Sequence, residues 1–291
     1  LREIDEGRGT PHGGVYLDIA WIKEKLPDSE EYIKRKLPSM YLQFKELAEI
    51  DITKVPMEVG PTVHYVMGGV RVNAESQMST LPGLFAAGEC AAGLNGANRL
   101  GGNSLSDLLV FGKRAGEFAA KYAKVNSQVQ VDEAQINQAS HAALAPFERS
   151  AKSAHGAGPF QIQQEIQEMM QNLVGIVRTE AEMRQALEGI EKLKNKAEAV
   201  SVGGNREYNP GWHTALDLHN LLVVSEAVAR AGLERKESRG AHFRNDYPEK
   251  SEQYAKFNLV LKKGSDGQMQ VNQVPIVPID DEQKKIIEEN K

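Results

Sequence analysis

The clearest periodicity lies in the second half of the chain. Ile162, Ile166, Met169, Leu173 and Ile176 step by four, three, four and three residues, the spacing that lines one face of an amphipathic helix. Thr179 and Glu182 then have the spacing of a capping box, and Met183, Leu187, Ile190 and Leu193 follow on one face of a second helix. A third helical run extends from about Trp212 to Ala229. Residues 126–232 therefore predict a three- or four-helix bundle, with no internal repeat or low-complexity tract.

The first 60 residues read differently. A glycine turn leads into a short strand, Val15 to Ile19, and PDSEEYIKRKLPSMYLQFKEL reads as helical pieces interrupted at Pro38. This is a small α/β piece with no obvious core of its own. From 61 to about 123, glycine is dense and apolar runs are short. LPGLFAAGE reads as a turn, a buried strand from Leu84 to Ala87, and a glycine that lets backbone approach closely. GGNSLSDLLVFGKRAGEFAAKYA then reads as a loop opening a helix, capped by Asn103 or Ser104, with Leu105, Leu108, Leu109, Gly112 and Ala115 along one face. Strand, glycine loop and helix in that order make a nucleotide-style site. Near the C-terminus, FNLVLKKGSDGQMQV predicts a hairpin around a Gly/Ser/Asp turn, and IDDEQKKIIEENK a solvated short helix or a frayed end.

Composition narrows the partners more than the fold. The 291 residues, 41% hydrophobic and 26% charged, suffice for a packed interior. A net charge of -5 gives no broad attraction for nucleic acid or anionic lipid. The single cysteine, Cys90, cannot form an internal disulfide, reads as a small core residue and points to a reducing, cytoplasm-like compartment. No apolar run approaches the roughly 18 residues needed to cross a bilayer. The opening LREIDEGRGTPHGG has neither the basic start nor the apolar core of a signal peptide, and reads as the middle of a longer protein.

Chemistry concentrates in GPTVHYVMGGV and in LPGLFAAGECAAGLNGANRLGGNSLSDLLVFG. Each glycine cluster alone is a weak signal; their order and spacing together are specific. These strings resemble the flavoprotein subunits of succinate dehydrogenase and fumarate reductase, where HYxMGG precedes GLFAxGE and GANRLGGNSL. RKESRGAHFRNDYP at 235–248 is similar to the same family's C-terminal helical signature. The resemblance implies an α/β fold, part of an FAD-binding Rossmann-like domain with a capping-domain remnant, followed by an α-helical bundle and a small β hairpin. On that reading residues 1–60 end the capping domain, 61–125 form the returning lobe of the FAD domain, 126–245 the helical domain and 246–291 the hairpin and tail.

The residues support that chemistry on their own terms. Moving a hydride from one succinate methylene to a flavin requires both carboxylates to be held. Arg99 offers a fixed fork for one carboxylate without changing protonation state, and His64, ahead of a Met-Gly-Gly turn, can hydrogen-bond the other. By resemblance both are catalytic and substrate-binding. The resemblance likewise makes Glu89, Asn98, Gly101, Gly102, Ser104 and Leu105 FAD contacts, Glu89 accepting from cofactor hydroxyls and the helix opening at Ser104 facing the flavin. No metal site is expected. Each residue has a plainer alternative: Arg99 in a buried ion pair, Glu89 a loop carboxylate, Ser104 a helix cap. Arg239 and His242 in SRGAH read as structural or subunit-docking residues, and His12, His141, His155, His213 and His219 have no supporting motif.

The match departs from the family pattern in places. A GxGxxG fingerprint for the FAD pyrophosphate is absent, and so is the segment carrying the family's proton-shuttle arginine; Arg8 in EGRG is not its counterpart. Asn95 stands where many relatives carry histidine. The family implies interconversion of succinate and fumarate, electron transfer to an iron–sulfur subunit, then to quinone, and a peripheral position on the cytoplasmic side of the inner membrane beside membrane-anchor subunits. The L-aspartate oxidases share HYxMGG, GANRL and SRG-type motifs and form the enzymatic alternative; a non-catalytic docking module is the other.

Overall fold

The structure is a computed structural model describing residues 2–126, 130–150 and 158–290. It divides into two units, Leu1–Tyr65 and Val66–Lys291.

In the first unit a single widened turn, Ile4–Arg8, precedes β1 (Val15–Leu17), which pairs antiparallel with β2 (Met57–Val59). Between them lie α1 (Ser29–Lys36) and α2 (Pro38–Leu47), broken at Leu37 because Pro38 starts the second helix. Contrary to the expectation from sequence, this unit has a core: Ile33, Ile52 and Met57 are buried, with Ile19, Ile22, Tyr41, Phe44, Ile50 and Val59 packed against them. Its members come from separate segments, so no local period marks them.

The second unit opens with β3 (Val70–Arg71) parallel to β4 (Ala91–Ala92). The run from Leu84 to Ala87 is not a buried strand. It makes one antiparallel bridge, Met78 to Phe85, and Leu84 is exposed. Phe85 instead packs edge-on against Tyr122, with ring centres 6.1 Å apart. Tyr122 belongs to α3 (Asn103–Val125). The apolar stripe foreseen on α3 is real in sequence yet uncovered among the described residues: Leu105 is 69% and Leu109 76% exposed.

The bundle forms as its periodicity predicts. It comprises α4 (Glu133–Ser150), α5 (Pro159–Leu173), α6 (Glu180–Glu198) and α7 (Pro210–Glu234). Ile162, Ile166, Met183, Ile190 and Leu193 are buried with Leu218 and Leu222 of α7; Ile176 lies past the end of α5. Thr179 caps α6 by accepting from the Glu182 amide, but Glu182 returns to the Thr179 hydroxyl rather than to its amide, so the box is half formed. Glu226 on α7, nearly buried, is bound by Lys194 of α6 and by Arg230, both at 2.6 Å. A parallel pair, β5 (Val177–Arg178) and β6 (Phe243–Arg244), ties the start of α6 to the segment after α7. The hairpin is β7 (Phe257–Lys263) with β8 (Met269–Pro275), and α8 (Asp281–Glu289) ends the fold behind a complete Asp280/Gln283 capping box. No helix among the described residues is long and apolar enough to cross a membrane.

Candidate active site

Close backbone packing builds the glycine region of the second unit. Gly69 has φ of 146°, and a Cβ there would stand 2.2 Å from the Cys90 carbonyl oxygen, so the Met-Gly-Gly turn fits against β4 only with glycine. Cys90 is exposed, not a core residue as its type suggested; its carbonyl does the packing while its thiol faces outward to the Ala87 carbonyl. Beside it, in the short turn Gly88–Cys90, exposed Glu89 accepts a hydrogen bond from the Val66 amide at 3.0 Å.

The loop that follows carries the candidate clamp. Arg99 is half-buried and its Nη1 donates to the Leu100 carbonyl at 3.3 Å, which turns the guanidinium back along its own loop. Asn98, Gly101, Gly102 and Leu105 are exposed and Ser104 is half-buried. The cap of α3 is Gly102, not Asn103 or Ser104. The Asn103 amide donates to the Leu100 carbonyl at 3.2 Å, which draws Asn103 into the first turn. No side chain caps α3, so its opening amides and the positive end of its dipole face an exposed glycine loop, a setting that suits an anionic or electron-rich group. Glu89 and the run Asn98–Leu105 both belong to the second unit, and Gly88, next to Glu89, packs against Leu108 of α3. His64, exposed, belongs to the first unit. Among the described residues no group of His, Cys, Asp and Glu could hold a metal.

A second polar cluster, barely visible in sequence, sits where the helical bundle meets the SRGAH segment. Glu237 is fully buried: Arg235 donates to it at 2.6 Å, Arg239 at 2.9 and 3.0 Å, and the Ser251 amide at 2.8 Å. His242 accepts from Arg178 at 3.0 Å on Nδ1 and donates to the Arg235 carbonyl at 3.1 Å through Nε2, which fixes a neutral ring. Arg239 and His242 therefore have internal structural partners. The signal for Glu237 was its place between Arg235 and Arg239 at two-residue spacing. His12 pairs with Glu58 at 2.8 Å, and His155 lies outside the described residues.

These groups fix the acid side of the stability profile. Burial, then the charges of Arg178, Arg244 and Arg235, push His242 down to about 4. Burial alone would raise Glu237, but its arginines and the Ser251 amide overcome this and hold it at about 2. Hydrogen bonds from Arg244 lead in holding Asp246 at about 2. Between pH 6.5 and 4 the unfolded chain binds a proton at His242 that the folded chain does not, so stability falls as pH falls through that window. The stabilisation from Glu237 and Asp246 is complete above pH 4.5 and is lost on descent toward 2. Denaturation midpoints measured from pH 8 to pH 3 therefore decline from about 6.5 downward, and in a His242→Asn variant the decline above pH 4 flattens. An unchanged profile in that variant would remove His242 from the account.

Residues 2–105 match the family described as "FAD binding domain", and residues 163–286 the family described as "Fumarate reductase flavoprotein C-term". The chain is 40% identical over 264 residues to a fumarate reductase (CoM/CoB) polypeptide of Methanothermobacter marburgensis, an alignment covering 90% of this chain and 45% of that protein. It is 35% identical over 292 residues to the succinate dehydrogenase flavoprotein of Coxiella burnetii, covering 94% and 48%. Among solved structures, the Mycobacterium smegmatis Sdh1 complex in the apo form is similar at 51% identity and a TM-score of 0.80, over 94% of this chain and 45% of that one. The chain spans about half the length of the curated relatives it matches.

Proposed function

Because this chain belongs to the succinate dehydrogenase and fumarate reductase flavoprotein family, whose cofactor is FAD, we propose that within its full-length protein it supplies the dicarboxylate clamp and one wall of the flavin site of an enzyme interconverting succinate and fumarate. The observation that carries this reading is the placement of Arg99 on an exposed glycine loop immediately ahead of the uncapped start of α3. The donor set fits FAD: amides at a helix start for the electron-rich side of the ring, exposed Leu105 and glycine backbone against which a planar ring can lie, and the Glu89 carboxylate to accept from hydroxyls.

When bound, FAD supplies the acceptor or donor of a hydride. The chain's own residues do the holding. Arg99 offers the fork of its guanidinium to one carboxylate. By the family resemblance, His64 is the group offered to the second carboxylate. Ser104 and Leu105, at the start of the helix, would hold FAD through backbone N–H groups, and Asn98, Gly101 and Gly102 would complete that loop. Electrons then pass to an iron–sulfur subunit, then to a quinone in a membrane-anchored assembly to which this chain is peripheral, on the cytoplasmic face. A solved structure of Mycobacterium smegmatis Sdh1 in complex with UQ1 supports that route.

An anaerobic visible spectrum of the full-length protein tests the reading. Succinate bleaches the flavin band and fumarate restores it, while L-aspartate leaves the band intact. Bleaching by aspartate alone, or no response to succinate from protein that dithionite still reduces, would sink the proposal.

A further inference from the structure

Gly240 and Ala241 of the SRGAH segment stand against the loop that carries Arg99. The Ala241 amide donates to the Ala97 carbonyl at 3.0 Å. Gly240 has φ of 60°, and a Cβ added there would lie 2.2 Å from the Ala97 carbonyl oxygen and 2.7 Å from the Ala97 Cβ. A side chain is thus excluded twice, by backbone conformation and by the neighbouring main chain. Ala97 is two residues ahead of Arg99 in an otherwise exposed loop.

The other end of this contact is rigid. Arg239 and His242 close the turn with reciprocal backbone bonds of 2.8 and 3.1 Å. The Arg239 side chain is held by buried Glu237 and by the Ser251 carbonyl at 3.0 Å, and the His242 ring by Arg178 and the Arg235 carbonyl. Arg178 in turn donates to the Val174 and Gly175 carbonyls at the end of α5. A turn pinned at its base to the helical bundle therefore presses its tip on the Arg99 loop.

We propose that Gly240 and Ala241 are positioning residues for the dicarboxylate clamp: the helical domain sets the height and direction of the Arg99 guanidinium through the Ala97 carbonyl. The inference rests on the reading of Arg99 as the clamp. A flexible glycine loop cannot hold a guanidinium to the tolerance that substrate orientation demands, and displacement of about 1 Å can cost 10²-fold in rate. The strut supplies that tolerance from an element that never touches substrate.

The test uses the full-length flavoenzyme and the dissociation constant of a non-reacting dicarboxylate, malonate, read from its perturbation of the flavin spectrum, with kcat and KM for succinate. Gly240→Ala weakens malonate binding and raises KM by about 10-fold or more, the effect of misplacing one charged hydrogen-bonding fork, while flavin content and reduction by dithionite are unchanged. An Ala241 amide-to-ester replacement, which deletes only the donor to Ala97, gives a smaller rise of the same sign and decides the matter if Gly240→Ala does not retain FAD. Both are repeated on Arg99→Gln. If Gly240 acts through Arg99, it costs nothing further there. An effect of Gly240→Ala that persists undiminished on Arg99→Gln, or unaltered malonate affinity in both single variants, overturns the positioning role. Normal malonate binding by Arg99→Gln alone instead overturns the clamp assignment itself.

Discussion

Arg99→Gln in the full-length flavoenzyme lowers kcat/KM for succinate by about 10³-fold, roughly 4 kcal/mol of transition-state stabilisation, while FAD remains bound and reducible by dithionite. The size follows from what is removed. A guanidinium supplies charge and two parallel donors to a carboxylate, and glutamine supplies one neutral donor at shorter reach. Arg99→Lys restores charge without the fork and falls between the two, with KM recovering more than kcat, because a point charge binds a dianion but does not orient it. Arg99 lies in an exposed loop, so the substitution tests the side chain without opening a packed core. A loss under tenfold, or parallel loss of flavin, would assign Arg99 to structure instead of substrate.

What the sequence made legible was whatever is local or motif-like. The bundle helices were readable because Ile162, Ile166, Met183 and Ile190 repeat at helical spacing, and all are buried. The hairpin was readable because its turn chemistry lies between two strand-like runs. Periodicity says which face of a helix is apolar and not what covers it, so the Leu105 and Leu109 stripe of α3 was foreseen while its exposure was not. The run Leu84–Ala87 failed for a related reason: an apolar run becomes a buried strand only with partners on both flanks, and among the described residues it is the segment Gln77–Ser79 on one side that pairs with it. The cap at Gly102 was missed because an asparagine and a serine stood next to it, and capping preference by residue type was outweighed by the Leu100–Asn103 turn. The run from Asn98 to Leu105 came from motif order. Its brace at Gly240 lies over 140 residues away, and spacing alone could not join them.

Arg244→Leu destabilises the chain by about 2–3 kcal/mol, because it removes the charge-assisted hydrogen bonds of a fully buried guanidinium and leaves two helix-end carbonyls without their donor. Arg244 has no exposed surface. Its Nε and Nη2 donate to the two Asp246 oxygens at 2.7 and 2.6 Å, and its Nη1 to the Gly232 and Leu233 carbonyls at 3.0 and 3.2 Å. Those carbonyls end α7, where no further turn exists to receive them and where the helix dipole is negative. Asp246 meanwhile accepts from the Glu180 amide at 2.8 Å, at the positive start of α6. One ion pair therefore neutralises two helix ends, and the Arg244 guanidinium also lies 4.9 Å above the Tyr247 ring. Leucine fills part of the volume but leaves the two carbonyls without their donor, while the exposed Asp246 carboxylate keeps water and the Glu180 amide. Thermal unfolding registers this as a fall of about 10 °C. Arg244→Lys recovers little of it, since a single compact ammonium cannot span the Asp246 oxygens and the α7 carbonyls together. Equal stability of Arg244→Leu and wild type from pH 5 to 8 would mean that water reaches this cluster and satisfies it, and the ion pair would then not be what joins α6 to α7.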